Sequence, residues 1–182
     1  AAVIPKIVVA RKSLVQECNR FLSSIFTELT GRDEELLFCY RNNLENRTEM
    51  DEASVFEFLK AKSEMEIGKG ILCYGPHKDQ FWMTLGGKRD RQTFSQGEYR
   101  IAFLSLQLTL NSIISELLGF EPLVLLDDIF SELDQSVYSR TLDFISKGDN
   151  QVFITSTEIP LEFRERGFLY RVERGRIAVS DP

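Results

Sequence analysis

Asp127 and Asp128 stand side by side at the end of the apolar run 123–126, and a polar turn, Ser131-Glu132-Leu133-Asp134, follows at once. Adjacent ionised carboxylates repel unless positive charge lies between or beside them, and magnesium is the simplest candidate. A second group able to do chemistry is Ser95-Gln96-Gly97-Glu98. It fits the S-x-x-E capping box, in which hydroxyl and carboxylate satisfy backbone donors reciprocally at a helix start. By itself that pattern means only a well-capped helix. The glycine adds to it, because a first turn without a side chain lets another molecule approach the exposed N–H groups, where the helix dipole favours phosphate. Lys88, Arg89 and Arg91, with Arg100 nearby, form a basic knot that reads either as a solvated hairpin tip or as a contact to DNA backbone. Thr155-Ser156-Thr157 is a hydroxyl cluster, and His77 is the single histidine.

The elements that must position these groups follow from periodicity. Pro122 and the short apolar run 123–126 describe a strand buried on both faces of a parallel sheet, although a buried helical segment has the same periodicity. Open α/β sheets place ligands at the carboxyl ends of such strands. The run 151–154 is a second buried strand ending in the hydroxyl cluster, and Asp134 is placed to cap a helix over 135–146 that Gly148 terminates. A long, mostly buried helix follows Ser95, with Ile101, Leu104, Leu108, Ile113, Leu117 and Leu118 among its apolar positions and Gly119 as its stop. Earlier, apolar residues at three- and four-residue intervals predict a helix over 7–29 ended by Thr30-Gly31, then a strand over 36–40 and a polar loop over 41–48. Asp51 caps a helix over 52–66, closed by Gly68 and Gly70, where the composition shifts and a soft boundary is expected. Beyond it, 71–74 and 81–85 read as strands around the turn Gly75-Pro76-His77-Lys78-Asp79, with a tight turn at Gly86-Gly87. Residues 168–179 read as a hairpin turning at Arg174-Gly175.

Composition bounds the class. The chain has 182 residues, 43% hydrophobic and 27% charged, enough for one domain with a real core and room for an appended subdomain. There is no apolar run of about 18 residues and no charged-apolar-small leader, so neither a membrane span nor a signal peptide is visible and a cytoplasmic protein is expected. Cys18, Cys39 and Cys73 are an odd number at wide spacing, which gives no disulfide framework and no metal-ligand pair; buried, reduced thiols are expected. A formal net charge of -6 makes any nucleic-acid contact local or shared with a partner.

Taken in order, GPHKD (75–79), FSQGE (94–98), LLDDIFSELD (125–134) and VFITST (152–157) resemble the C-terminal half of the RecF family, ABC-type ATPases related to the SMC proteins. The motifs span most of 75–157, and the first 70 residues match loosely, as the returning part of a helical arm. The resemblance implies an α/β fold: residues 71–182 as the C-terminal lobe of an ABC-type P-loop ATPase head carrying signature, Walker B and D-loop, and residues 1–70 as an appended, mostly helical arm subdomain. It implies that FSQGE is the ABC signature, with Ser95, Gln96, Gly97 and Glu98 as cofactor-binding residues, of which Ser95 and Gly97 act in trans on the γ-phosphate of ATP held by the opposite subunit. Asp127 takes the place of the Walker B aspartate that holds Mg2+, and Asp128 that of the catalytic glutamate that orients water. Ser131 to Asp134 resembles the D-loop, and Thr157 falls where many ABC ATPases carry a switch histidine, a departure that leaves γ-phosphate sensing open. The partners implied are DNA at single-strand/double-strand junctions, an ATP-dependent homodimer, RecR and RecO, in recombinational repair, replication-fork maintenance and the SOS response.

One departure is large. No G-x-x-x-x-G-K-[ST] occurs, and the chain opens Ala1-Ala2 without an initiator Met. The expectation is a C-terminal portion of a longer, slow Mg2+-dependent ATPase, inactive as given. The rival readings are a strand end whose carboxylates cap the next helix, a phospho-acceptor receiver domain, a metal-dependent nuclease, and a non-enzymatic DNA-binding or dimerisation module derived from an ATPase head. The receiver fold puts its acidic pair early in the domain, and a nuclease needs further ligands, which the single His77 in a turn does not supply. The non-enzymatic module is the alternative that stays open.

Overall fold

The computed structural model describes residues 1–89, 94–128, 133–157 and 167–179. Its first element, α1, runs Val3–Thr30 and reaches back beyond the expected start at Ile7. Val8, Val15, Cys18, Leu22, Ile25, Phe26 and Leu29 recur every three to four residues, and all are buried on one face. Gly31 ends the helix in the left-handed region (φ 72°), where a residue without Cβ is favoured, and its N–H donates to the Thr27 carbonyl. Leu22, Phe26 and Leu29 are fully buried and contribute about 2 kcal/mol each through lost apolar surface.

Strand β1 (Leu36–Arg41) lies beside α1, and β2 (Gln80–Leu85) pairs with it antiparallel from Leu36↔Leu85 to Arg41↔Gln80. β3 (Lys88–Arg89) returns from the Gly86-Gly87 turn onto β2. The free edge of β1 is closed by side chains of α1. Asn19 Nδ2 donates to the Phe38 carbonyl and its Oδ1 accepts the Phe38 N–H, while Ser23 makes the same pair of bonds with Leu36. A four-residue helical step thus matches a two-residue strand step, and the outward backbone groups of Leu36 and Phe38 are not left open to another strand.

The expected strand over 71–74 does not form. Glu66, buried in α2 (Glu52–Lys69), accepts the backbone N–H groups of Cys73 (2.5 Å) and Tyr74 (3.0 Å), which removes the donors a ladder would need. β2 therefore finds its partner in β1 rather than across the 75–79 turn, which is a short 3-10 helix over Pro76–Lys78. Because of that pairing the sheet runs across the boundary expected near Gly70. Gly70 caps α2 at φ 65°, whereas Gly68 lies within the helix. Asp51 caps its start as expected, accepting from Ser54 N.

Helix α3 (Gln96–Leu118) is the central element and packs on α1. By length and composition alone it could cross a membrane. Ile101, Ala102, Leu104, Ser105, Leu106, Leu108 and Thr109 are buried, however, as in the core helix of a globular domain. Its end differs from expectation: Leu117 is 81% exposed and Leu118 is 50% exposed. β4 (Val124–Asp127) and β5 (Val152–Thr155) pair in parallel, joined by α4 (Gln135–Ser146), which packs against α1. Expected burial on both faces is met on one only. Leu126 packs with Ile25, Leu29, Leu104 and Leu108, while Leu125 and Phe153 are exposed on the other side. The hairpin β6 (Tyr170–Glu173) and β7 (Arg176–Val179) turns at Arg174-Gly175 as read from sequence. Of the three cysteines only Cys18 is buried, with burial pushing its thiol up; Cys39 and Cys73 are half-buried, and all three are free.

Candidate functional site

The start of α3 is built as the S-x-x-E pattern requires. Ser95 Oγ accepts the Glu98 N–H (3.2 Å) and Glu98 Oε2 accepts the Ser95 N–H (3.0 Å). Glu98 Oε1 also takes a bond from Arg32 Nη2 at 3.0 Å, tying the helix start to the loop after α1. The Ser95 N–H first, then Arg32, hold the Glu98 carboxyl below the usual carboxylate value, so it is ionised at neutral pH. Ser95 and Gln96 are exposed, and a Cβ added at Gly97 would meet nothing within 4 Å. No packing within the described chain explains a glycine in this first turn, where it costs roughly 1 kcal/mol against alanine.

Apart from the helix start, β4 ends at Asp127, whose neighbour in the parallel register is Thr155. The Thr155 hydroxyl donates to Asp127 Oδ1. The same hydroxyl accepts the backbone N–H of Asp128 at 3.1 Å, and the Thr155 carbonyl lies 3.2 Å from that nitrogen. Asp128 has φ 45°, a left-handed conformation that costs a non-glycine residue about 1 kcal/mol. That turn ends the strand and starts the segment leading to α4. Both carboxylates are exposed on the rim of a cavity of about 350 Å³, lined also by Arg100, Phe103 and Gln107 of α3 and by Leu133. A larger cavity, about 460 Å³, lies at the opposite end of β4, where the polar groups already bond one another: Asn111 with Asn150, Ser115 with Glu121, Lys147 with Glu28. The smaller cavity is the one that the two carboxylates open onto.

Among the described residues no cluster of three or more histidine, cysteine or carboxylate side chains could hold a metal alone. The acidic pair with a neighbouring hydroxyl instead fits an ion such as Mg2+, which keeps waters and is bound through one or two carboxylates together with substrate phosphates.

The remaining sequence-derived residues are spread. Asp134 holds the N-cap position of α4 but makes no side-chain cap bond. Thr157 is exposed beyond β5, and the hydroxyl that meets the acidic pair is Thr155, two residues earlier. Thr155 was legible only as part of a hydroxyl cluster, because register decides which member faces Asp127. Lys88 and Arg89 lie on β3, with the Arg89 guanidinium 4.5 Å from the centre of the Trp82 ring. Arg100, expected with the basic knot, lines the acidic cavity instead, since it lies one turn into α3. Arg91, Ser131 and Glu132 lie outside the described residues. His77 is a turn residue whose Nε2 lies 3.2 Å from the Leu72 carbonyl.

No family model matches the sequence. A DNA replication and repair protein RecF from Moorella thermoacetica is 35% identical over 174 residues, covering 91% of this chain and 45% of that protein. A RecF from Staphylococcus carnosus is 34% identical over 180 residues, covering 94% of this chain and 48% of its own length. Over most of its length the chain is thus similar to RecF proteins. It covers about half the length of the RecF proteins it matches. Among solved structures, the recombination mediator RecF with ATP superposes with TM-score 0.73 at 23% identity, over 97% of this chain and 47% of that one. An SMC ATPase studied for ATP-driven dimerisation superposes with TM-score 0.57 at 16% identity, over 96% of this chain and 88% of that one. The fold of the RecF-like span is therefore the α/β arrangement of the RecF and SMC ATPase heads, as the ordered motifs implied.

Proposed function

We propose that this chain is the C-terminal part of a RecF-like, ATP-dependent DNA-binding protein of recombinational repair and replication. The observation that carries the reading is the acidic pair at the carboxyl end of β4, open to a cavity and hydrogen-bonded in place, in a chain similar to RecF proteins. Asp127 would hold Mg2+, which when bound neutralises phosphate charge; Asp128 would accept and orient the attacking water. The cradle for the β- and γ-phosphates belongs to the portion of RecF that this chain does not span. Ser95, Gln96, Gly97 and Glu98 would meet the nucleotide of a second subunit, and the open space at Gly97 supports that approach. Asp134 would lie at the dimer interface and Thr157 near the γ-phosphate. ATP then joins two heads around DNA at single-strand/double-strand junctions, hydrolysis releases it, and RecO and RecR act with the complex. Lys88, Arg89 and Arg91 are the backbone contacts proposed here, with Arg100 reassigned to the acidic cavity.

The test supplies the missing half, in cis or in trans, and measures Mg2+-dependent ATP turnover with and without DNA. The chain alone is expected to show none. In the complete protein Asp128→Asn is expected to trap an ATP-bound dimer in sedimentation, because the neutral amide no longer accepts a proton from water. Turnover equal to wild type refutes the assignment, and a complete protein without any ATPase favours a non-enzymatic module.

A further inference from the structure

We propose that Thr155 is the positioning residue of the acidic site, a single hydroxyl that sets both the carboxylate of Asp127 and the backbone of Asp128. This rests on the reading of that pair as a magnesium and water site. The hydroxyl has one proton and uses it on Asp127 Oδ1, while its lone pair takes the Asp128 N–H at 3.1 Å. Ordinary parallel pairing accounts for the bond from Asp128 N to the Thr155 carbonyl. It does not account for the hydroxyl, since valine or isoleucine would satisfy an exposed strand position as well. Two otherwise independent features are thereby linked. One is the rotamer of the carboxylate that ends β4, and the other is the left-handed turn (φ 45°) that brings the next carboxylate to the same cavity.

Side chains that orient a metal-binding carboxylate commonly change metal affinity about 10- to 100-fold when removed. Thr155 is exposed, so replacing it leaves the core intact. The experiment uses the full-length protein with a non-hydrolysable ATP analogue and reads bound Mn2+ by electron paramagnetic resonance. Alongside it, the Mg2+ concentration for half-maximal turnover is measured separately from kcat. Thr155→Val is expected to weaken Mn2+ binding and raise the Mg2+ requirement at least about 10-fold, whereas Thr155→Ser stays within about threefold of wild type. Melting temperatures of both variants should match wild type. If Thr155→Val binds Mn2+ like wild type, or Thr155→Ser is as impaired as Thr155→Val, the inference is overturned while the acidic pair stands. If wild type shows no nucleotide-dependent Mn2+ binding, or Asp127→Asn binds it equally well, the reading of the acidic pair fails and the role of Thr155 fails with it.

Discussion

Asp79→Ala tests how the GPHKD turn is held. The Asp79 side chain is 2% exposed and accepts three bonds: from Arg11 Nη1 (2.5 Å), Tyr40 Oη (2.6 Å) and Asn43 N (2.8 Å). Arg11 also donates to the Pro76 carbonyl, so the carboxylate clasps α1, β1 and the turn together. Tyr40 remains a donor at any working pH, because burial first and its bond to Asp79 second push its phenol up to about 12. Alanine leaves the Tyr40 hydroxyl and the Asn43 N–H without their acceptor, at about 1–3 kcal/mol each. Arg11 is 32% exposed and can turn to water, so its charge is not stranded and the full penalty for breaking a buried ion pair does not apply. The sum is about 3 kcal/mol, and for a chain of this size that lowers Tm by roughly 6–12 °C. Thermal unfolding followed by circular dichroism measures it. Tyr40→Phe should cost about 1 kcal/mol, and the double variant should cost less than the two singles added, because both act on one network. A Tm for Asp79→Ala within about 2 °C of wild type would refute the clasp.

Two further outcomes follow from the start of α3. Glu98 has its carboxyl held below the usual value in the folded state. Its contribution is therefore complete above the unfolded value of about 4.3 and is lost as pH falls through the lower folded value. The stability gap between wild type and Glu98→Gln should be level from neutral pH to about 5 and close below that; a gap that persists unchanged to pH 3 in denaturant titrations contradicts the assignment. Ser95→Arg in the full-length protein places a long side chain at the exposed helix start and should abolish ATP-dependent dimers in sedimentation velocity, and dimers that persist would rule out the approach in trans.

Much of the site was legible because it rests on local rules. The Ser95–Glu98 box, the stop at Gly31, the cap at Asp51 and the acidic end of β4 each depend on residues a few positions apart. What the sequence hid depends on tertiary partners. Residues 71–74 have strand composition, yet Glu66 claims two of their backbone donors from the preceding helix. The partner of β2 lies on the far side of α2, where no turn signal points to it. Leu125 reads as buried from its neighbours, but only its alternation with Leu126 decides which residue faces α3. Thr155 and Thr157 are indistinguishable by type, and parallel register alone puts the former opposite Asp127.

The pairing Arg41↔Gln80 has a consequence for how this architecture can vary. The chain leaves the sheet at Arg41 and re-enters it at the adjacent position, so everything between is an excursion hung on what would otherwise be a tight hairpin. Its base is pinned by Asn43, whose N–H donates to Asp79 and whose Oδ1 accepts the Gly75 N–H. Insertions or deletions in the excursion, made in whole helical turns of α2, are expected to leave that base and the three-stranded sheet undisturbed. Reach away from the sheet and geometry at the acidic strand end are thus separate variables, and selection can lengthen one without moving the other.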